Sequence, residues 1–228
     1  MSPRHPDHLS TEFPAPAGPV DGDPNRRRLG DRVRSLRRDR GWTLETASER
    51  TGLSRSSLSK IENGRMSPTY DALLKLAGGF GLDVAELVAG GPGGPGGTGG
   101  RGGSGGSAGP ALGRRSITRA GEGESYESPT CSHRMLAADL THKALLPFRT
   151  VIRARALTDY PEWDRHDSDD FLYVLEGEMT VHTELYAPLE MGPGDSLYLD
   201  GRMGHACLST GAEDAVILWV SVPYTKDR

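Results

Sequence analysis

Residues 41–64, GWTLETASERTGLSRSSLSKIENG, hold the side chains whose types and spacing are easiest to read as chemistry. Leu53, Leu58 and Ile61 fall on one face at helical spacing, which leaves Ser56, Ser57, Ser59 and Lys60 to face outward. A hydroxyl can reach base edges or phosphate, and an ammonium meets guanine or phosphate, so a face of this kind can enter the major groove of duplex DNA. A solvated amphipathic helix would show the same pattern, and the surrounding charge separates the two readings. Residues 25–65 carry 12 Arg and Lys against 5 Asp and Glu, a segment of +7 in a chain whose net charge is −4.

The elements that position this face are short. Thr43 is a good N-cap, and residues 46–50 continue as a helix that Gly52, free to adopt a left-handed conformation, brings to an end. Ser54 caps the next helix. Upstream, RRRLGDRVRSLRRDR follows Pro24 and Asn25 and places Leu29, Val33 and Leu36 in one apolar stripe. Its other face is nearly all Arg, suited in part to phosphates, which fix register without reading sequence. Downstream, Ser67 and Pro68 are expected to start a helix that buries Ala72, Leu73, Leu76 and Ala77 and breaks at residues 78–81, and residues 84–88 form a last short one.

GLSRSSLSKIENG followed by SPTYDALLKLA resembles the phage-repressor-like (Xre-type) helix-turn-helix domain over about residues 29–88. Leu44 stands where many members place a DNA-contacting Gln, and Ser48 where a small Ala packs the two helices. The resemblance implies five helices and a double-stranded DNA operator. Thr43, Arg55, Ser56, Ser57, Ser59, Lys60, Asn63 and Arg65 are the candidate contacts.

Residues 1–24 are rich in Pro and poor in large apolar groups, and are expected to form a disordered tail ahead of a helix-turn-helix domain over 25–89. Residues 90–113 read as a Gly/Pro/Ser-rich linker; a tether of that length has a root-mean-square span of roughly 25 Å, so the flanking domains need no rigid shared interface. The remainder, 114–228, alternates short apolar runs with Gly, Pro and Asp turns, the signature of an all-β sandwich or barrel.

Within that part, Asp164, His166, Asp170 and the run FLYVLEGE resemble the first cupin motif, and GDSLYL followed by His205 resembles the second. The resemblance implies a double-stranded β-helix, a jelly-roll barrel around a small-molecule pocket. Where metal-binding cupins supply three His and a Glu, this chain has Asp164, His166, Asp170 and His205, a set able to chelate a divalent Fe, Mn, Ni or Zn. Asp170 is one methylene shorter than Glu, and Arg202 could pair with one of the acids instead. A metal-free effector pocket would draw on His166, Asp170, Tyr173 and His205. Arg149, Arg153 and Arg155 are spaced either to grip a carboxylate or, the preferred reading, to form an exposed polar strand face.

The sequence has no apolar run of about 18 residues and no apolar signal core near its start, which points to a cytoplasmic protein with no membrane partner. Two cysteines, Cys131 and Cys207, are too few for a disulfide framework and read as packed thiols. Together these features describe two domains, a five-helix DNA reader and a cupin sensor. The expected function is that of a one-component transcription regulator, not an enzyme, which binds an effector and forms a homodimer. The alternative is a metal-dependent cupin dioxygenase or isomerase fused to a DNA-binding module. Effector, operator sequence and the sign of regulation are not written in the sequence.

Overall fold

The computed structural model describes residues 24–89, 114–140 and 143–224. The expected linker over 90–113, and the expected tail over 1–24 apart from Pro24, lie outside the described residues.

Five helices come first: α1 (Pro24–Asp39), α2 (Leu44–Thr51), α3 (Arg55–Glu62), α4 (Tyr70–Phe80) and α5 (Val84–Ala89). The caps around the α2–α3 turn are those expected. Thr43 accepts from the Thr46 N–H at 3.1 Å, Gly52 is left-handed, and Ser54 accepts from the Ser57 N–H at 3.1 Å. Leu29, Val33, Leu36, Leu58, Ile61, Leu73 and Leu76 form the core between the helices.

Two expectations about α4 are corrected. It starts at Tyr70, with Thr69 and not Ser67 as cap, because the Thr69 hydroxyl takes the Ala72 N–H and leaves Ser67 and Pro68 in the preceding loop. It also runs through Gly78 and Gly79 to a left-handed Gly81. The absent Gly79 side chain lets α4 cross α2: a Cβ there would lie 2.6 Å from Thr51 Cγ2.

The Arg-rich face of α1 is largely engaged within the protein. Arg37 makes a two-pronged ion pair with the buried Glu62 at 2.6 and 2.8 Å, and Arg34 donates to Asn63 Oδ1 at 2.7 Å. Arg40 sits over the stacked rings of Trp42 and Phe80 and donates to the Leu36 and Phe80 carbonyls. Arg27 and Arg38 remain exposed.

Among the described residues the β domain has nine strands: β1 (Glu124–Glu127), β2 (Cys131–Met135), β3 (Leu146–Ile152), β4 (Ser168–Glu176), β5 (Met179–Thr183), β6 (Leu189–Met191), β7 (Ser196–Asp200), β8 (His205–Ser209) and β9 (Ala215–Pro223). All pairings are antiparallel, in a six-stranded sheet ordered β1-β2-β3-β9-β4-β7 and a three-stranded sheet ordered β6-β5-β8. Strand alternation sends Leu146, Phe148, Thr150 and Ile152 of β3 inward, and likewise Ser168, Asp170, Leu172 and Val174 of β4. Ile217, Trp219 and Ser221 of β9 join them. One end of this interior is apolar and the other is lined by His, Ser, Thr and Asp.

The domains touch. α1 and α5 lie against β1, and Arg28 Nη2 is 3.0 Å from Glu124 Oε2. The sequence had required no interface here.

Candidate functional site

The polar end of the barrel brings together three of the four expected metal-site residues. His166 stands on the loop before β4, Asp170 on β4 and His205 at the start of β8, and one donor atom from each lies within 4.8 Å of the others. The shorter reach of Asp170 is no obstacle to convergence. Asp164 does not join them: it pairs through its backbone with His205 and lines the same pocket without entering the cluster.

Hydrogen bonds fix how the three donors face. His205 Nδ1 lies 2.9 Å from the Met203 carbonyl, which can only accept, so Nδ1 carries the proton and Nε2 presents a lone pair. That Nε2 is buried and has no partner. The Ser221 hydroxyl donates to Ser168 Oγ at 2.9 Å, and Ser168 passes its own proton to Asp170 Oδ1 at 3.0 Å. His166 Nδ1, 2.7 Å from Ser168 Oγ, must therefore be the donor there, which turns its Nε2 lone pair toward Asp170 Oδ2 at 3.2 Å. This approach is a pair of acceptors, because burial and the neighbouring His205 hold His166 down at about 3 and leave it neutral. Asp170 Oδ2 likewise has no hydrogen-bond partner.

Two imidazole nitrogens and one carboxylate oxygen, buried, oriented and facing one another, need an electrophile between them. A proton satisfies part of that need, and burial accordingly pushes Asp170 up to about 7 against the hydroxyls of Ser221 and Ser168. A divalent cation would satisfy all of it. The donor set is the two-His-one-carboxylate arrangement, in which outer hydrogen bonds hold each imidazole. Gly201 helps to place His166: a Cβ at that position would lie 2.4 Å from His166 Nδ1.

Other pocket residues were not foreseen. His133 of β2, held by Thr150 at 3.0 Å, stacks on Tyr126, and Tyr160 donates to the Cys207 carbonyl at 3.0 Å. Tyr70 of α4 lies edge-on to His166, 5.2 Å between ring centroids. Ser168, two residues before Asp170 on one strand face, was readable from period two alone.

Burial lowers His133 to about 4. Its unfolded value is about 6.5, so between these limits the unfolded chain binds the extra proton and stability rises with pH. The His133 contribution is fully present above pH 6.5 and lost as pH falls toward 4, an effect of about 3 kcal/mol. Urea unfolding at pH 7 and pH 4.5 should show this loss, and the His133→Gln variant should show a shallower one; an equal pH dependence in the two proteins would contradict it.

Several expected site residues are placed elsewhere. Tyr173 points out of the barrel and is 38% exposed, because three residues along a strand from Asp170 is the opposite face. It is not part of the pocket. Arg202 bonds Asp200 at 2.9 and 3.1 Å and lies over the Tyr224 ring, away from the cluster acids. Arg149 faces Glu176, Arg153 faces Glu127 and Arg155 bonds Asp214, so the three form an outer polar face and no fork. Cys131 and Cys207 are buried free thiols in the pocket wall, both raised by burial, Cys131 to about 12.

On the helical domain, Thr43, Arg55, Ser56, Lys60, Asn63 and Arg65 are exposed, while Ser57 and Ser59 are half-buried. Ser57 is tied to the Ser54 cap, and Asn63 is held at both ends of its amide, by Arg34 and by the Ser59 carbonyl. Leu44 packs against the core, and the Ser48 hydroxyl closes the turn on the Leu53 carbonyl at 2.5 Å. Glu62, buried beneath Arg37, is the residue whose role the sequence reading missed.

A helical reader with an exposed hydroxyl-and-cation face and an antiparallel β barrel with a polar pocket thus share one chain. Comparison with known proteins agrees: residues 28–89 match the helix-turn-helix domain family, and residues 158–221 match the cupin domain family. An uncharacterised HTH-type transcriptional regulator, y4dJ of Sinorhizobium fredii (strain NBRC 101917 / NGR234), is 40% identical over 63 residues, which are 28% of this chain and 82% of that protein. The HTH-type transcriptional regulator SutR of Escherichia coli (strain K12) is 35% identical over 61 residues, 27% of this chain and 34% of that protein. The crystal structure of an HTH_3 family transcriptional regulator from Vibrio cholerae superposes with a TM-score of 0.52 at 19% identity, covering 88% of this chain and 97% of that one, a likeness of fold alone.

The chain belongs to the HTH-type transcriptional regulators, DNA-binding proteins, and here the DNA-binding domain is joined to a cupin domain. Among the described residues no helix is long and apolar enough to cross a membrane.

Proposed function

We propose that this chain is a one-component regulator, working in the cytoplasm, whose helical domain (25–89) reads an operator while its cupin domain (114–228) binds a small-molecule effector and pairs two copies. The observation that carries the sensor half is the set of oriented, partnerless lone pairs on His166, Asp170 and His205 at the inner end of a pocket. These three residues would hold a divalent cation, whose chemistry there would be to anchor an oxygen atom of the effector by direct ligation. The chain's own part is to keep each imidazole in the ligating tautomer through Met203 and Ser168, in a pocket walled by Trp219. Arg55, Ser56 and Lys60 present the groove-facing contacts, with Thr43, Arg65 and the half-buried Ser57 and Ser59 at the margins.

Elemental analysis of the purified chain tests the cation. The expected result is about one divalent ion per chain, absent from a His166→Ala, His205→Ala double variant. No metal in either would remove the cation and leave a metal-free pocket. His205→Ala should also blunt the operator response to effector while leaving basal DNA binding intact.

Dimerisation is supported by the outer face of the larger sheet. Phe171, Tyr173 and Leu175 of β4 are exposed on it, and Phe171 pairs in register with Tyr198, which is 65% exposed. A contiguous apolar face of this kind is costly to leave in water. The Phe171→Asp, Tyr198→Asp variant should sediment as a monomer and bind a two-site operator roughly 100-fold more weakly; an unchanged sedimentation coefficient would show that the face pairs nothing.

The same donor set is also that of non-haem iron oxygenases, which favours an enzymatic second reading. Oxygen consumption by the iron-loaded chain, coupled to turnover of a bound organic acid, would establish it. We favour the sensor because a side chain of the DNA-binding domain fills the pocket.

A further inference from the structure

That side chain is Tyr70, the first residue of α4. Thr69 caps the helix and the Tyr70 ring leaves the helical domain for the mouth of the barrel, where it meets Phe148 and His166 edge-on at 5.5 and 5.2 Å and tilts over His133 at 6.4 Å. The Tyr70 hydroxyl oxygen is buried beside Ser221, whose own proton goes to Ser168, and it makes no hydrogen bond of good geometry. Around the ring the pocket retains about 20 Å³ of free space, room for roughly one water. No metabolite can enter while the ring stays. Tyr70 is built into the first turn of α4, whose Leu73, Leu76 and Phe80 belong to the core of the DNA-binding domain, so withdrawal of that domain carries the ring out of the barrel. The same movement takes α1 away from β1 and breaks the Arg28–Glu124 pair.

We propose that Tyr70 occupies the place of the effector, and that a small hydroxy-aromatic ligand binds by displacing it, so that ligand binding and docking of the DNA-binding domain on the barrel exclude each other. The proposal rests on the reading of this pocket as the effector site. The class of ligand follows from what the pocket already accepts: a six-membered ring edged by Phe148, His133 and His166, with an oxygen at its inner end. A free ligand can turn that oxygen into good hydrogen-bond geometry, which Tyr70, fixed on α4, does not reach. By linkage, whatever opens the domains raises ligand affinity by the same factor that ligand opens them. The signal then passes through a direct contact and requires nothing of the linker.

The test uses 4-methylphenol, the tyrosine side chain as a free molecule, titrated calorimetrically into the full chain and into Tyr70→Ala and Tyr70→Phe variants. Tyr70→Ala should bind at least tenfold more tightly than the parent and Tyr70→Phe, and small-angle scattering should show the ligand-saturated parent expanding to the radius of gyration of Tyr70→Ala. Tyr70→Leu serves the same purpose if the Ala variant fails to fold. Equal affinity in parent and Tyr70→Ala, with unchanged scattering, would overturn the displacement. No binding by any variant would also overturn it; if Mn²⁺ is still taken up one per chain the pocket reading survives, and if it is not, that reading falls too.

Discussion

The Arg37→Met variant is expected to lose about 3–5 kcal/mol of helical-domain stability, the cost of leaving a buried carboxylate without its counter-ion. Glu62 is 3% exposed and receives both prongs of Arg37, at 2.6 and 2.8 Å, with Arg34 Nε a further 3.7 Å away. The pairing raises Arg37 through its hydrogen bond and its attraction to Glu62, so the guanidinium stays charged. Domains of this size have about 5–15 kcal/mol to lose, so the single change should unfold a large fraction of the reader at physiological temperature. The double variant Arg37→Met, Glu62→Met removes both charges and should recover most of the loss. Urea denaturation followed by helical ellipticity measures both; a single-variant loss under about 1 kcal/mol would mean that Arg34 already satisfies Glu62.

The second large effect concerns DNA. Lys60 and Ser56 are exposed on α3, clear of the apolar face formed by Leu58 and Ile61. Lys60→Glu replaces an attraction to the duplex by a repulsion, and in the proposed dimer this occurs twice. At about 1–3 kcal/mol for each attraction removed, the operator complex should weaken by at least about 30-fold. Ser56→Glu should act in the same direction. Both side chains are exposed, so melting of both domains should stay unchanged, and unaltered operator affinity would displace α3 from the groove.

The helical domain was legible because its signals are local: Thr43, Gly52 and Ser54 each act within a few residues of themselves. What the sequence hid was which charges face inward. Arg34, Arg37 and Arg40 look like Arg27 and Arg38 in sequence, yet Glu62 and the Trp42–Phe80 stack claim the first three. In the cupin domain, motif spacing found His166, Asp170 and His205 but could not exclude Asp164, whose backbone pairing with His205 carries it past the cluster. Tyr173 lies close to the motif in sequence, but its odd spacing from Asp170 along β4 turns it to the outer face. Tyr70 could not have been found, because the pocket that takes it is built by residues more than about 60 positions further along the chain.

Selection of bound duplexes from a random pool by the purified full chain tests the central claim most directly. The expected result is enrichment of a two-fold symmetric sequence with half-sites centred about 34 Å apart, one helical turn, that the Lys60→Glu variant does not enrich. A pool left without any preferred sequence, bound no better by the parent than by Lys60→Glu, would contradict it.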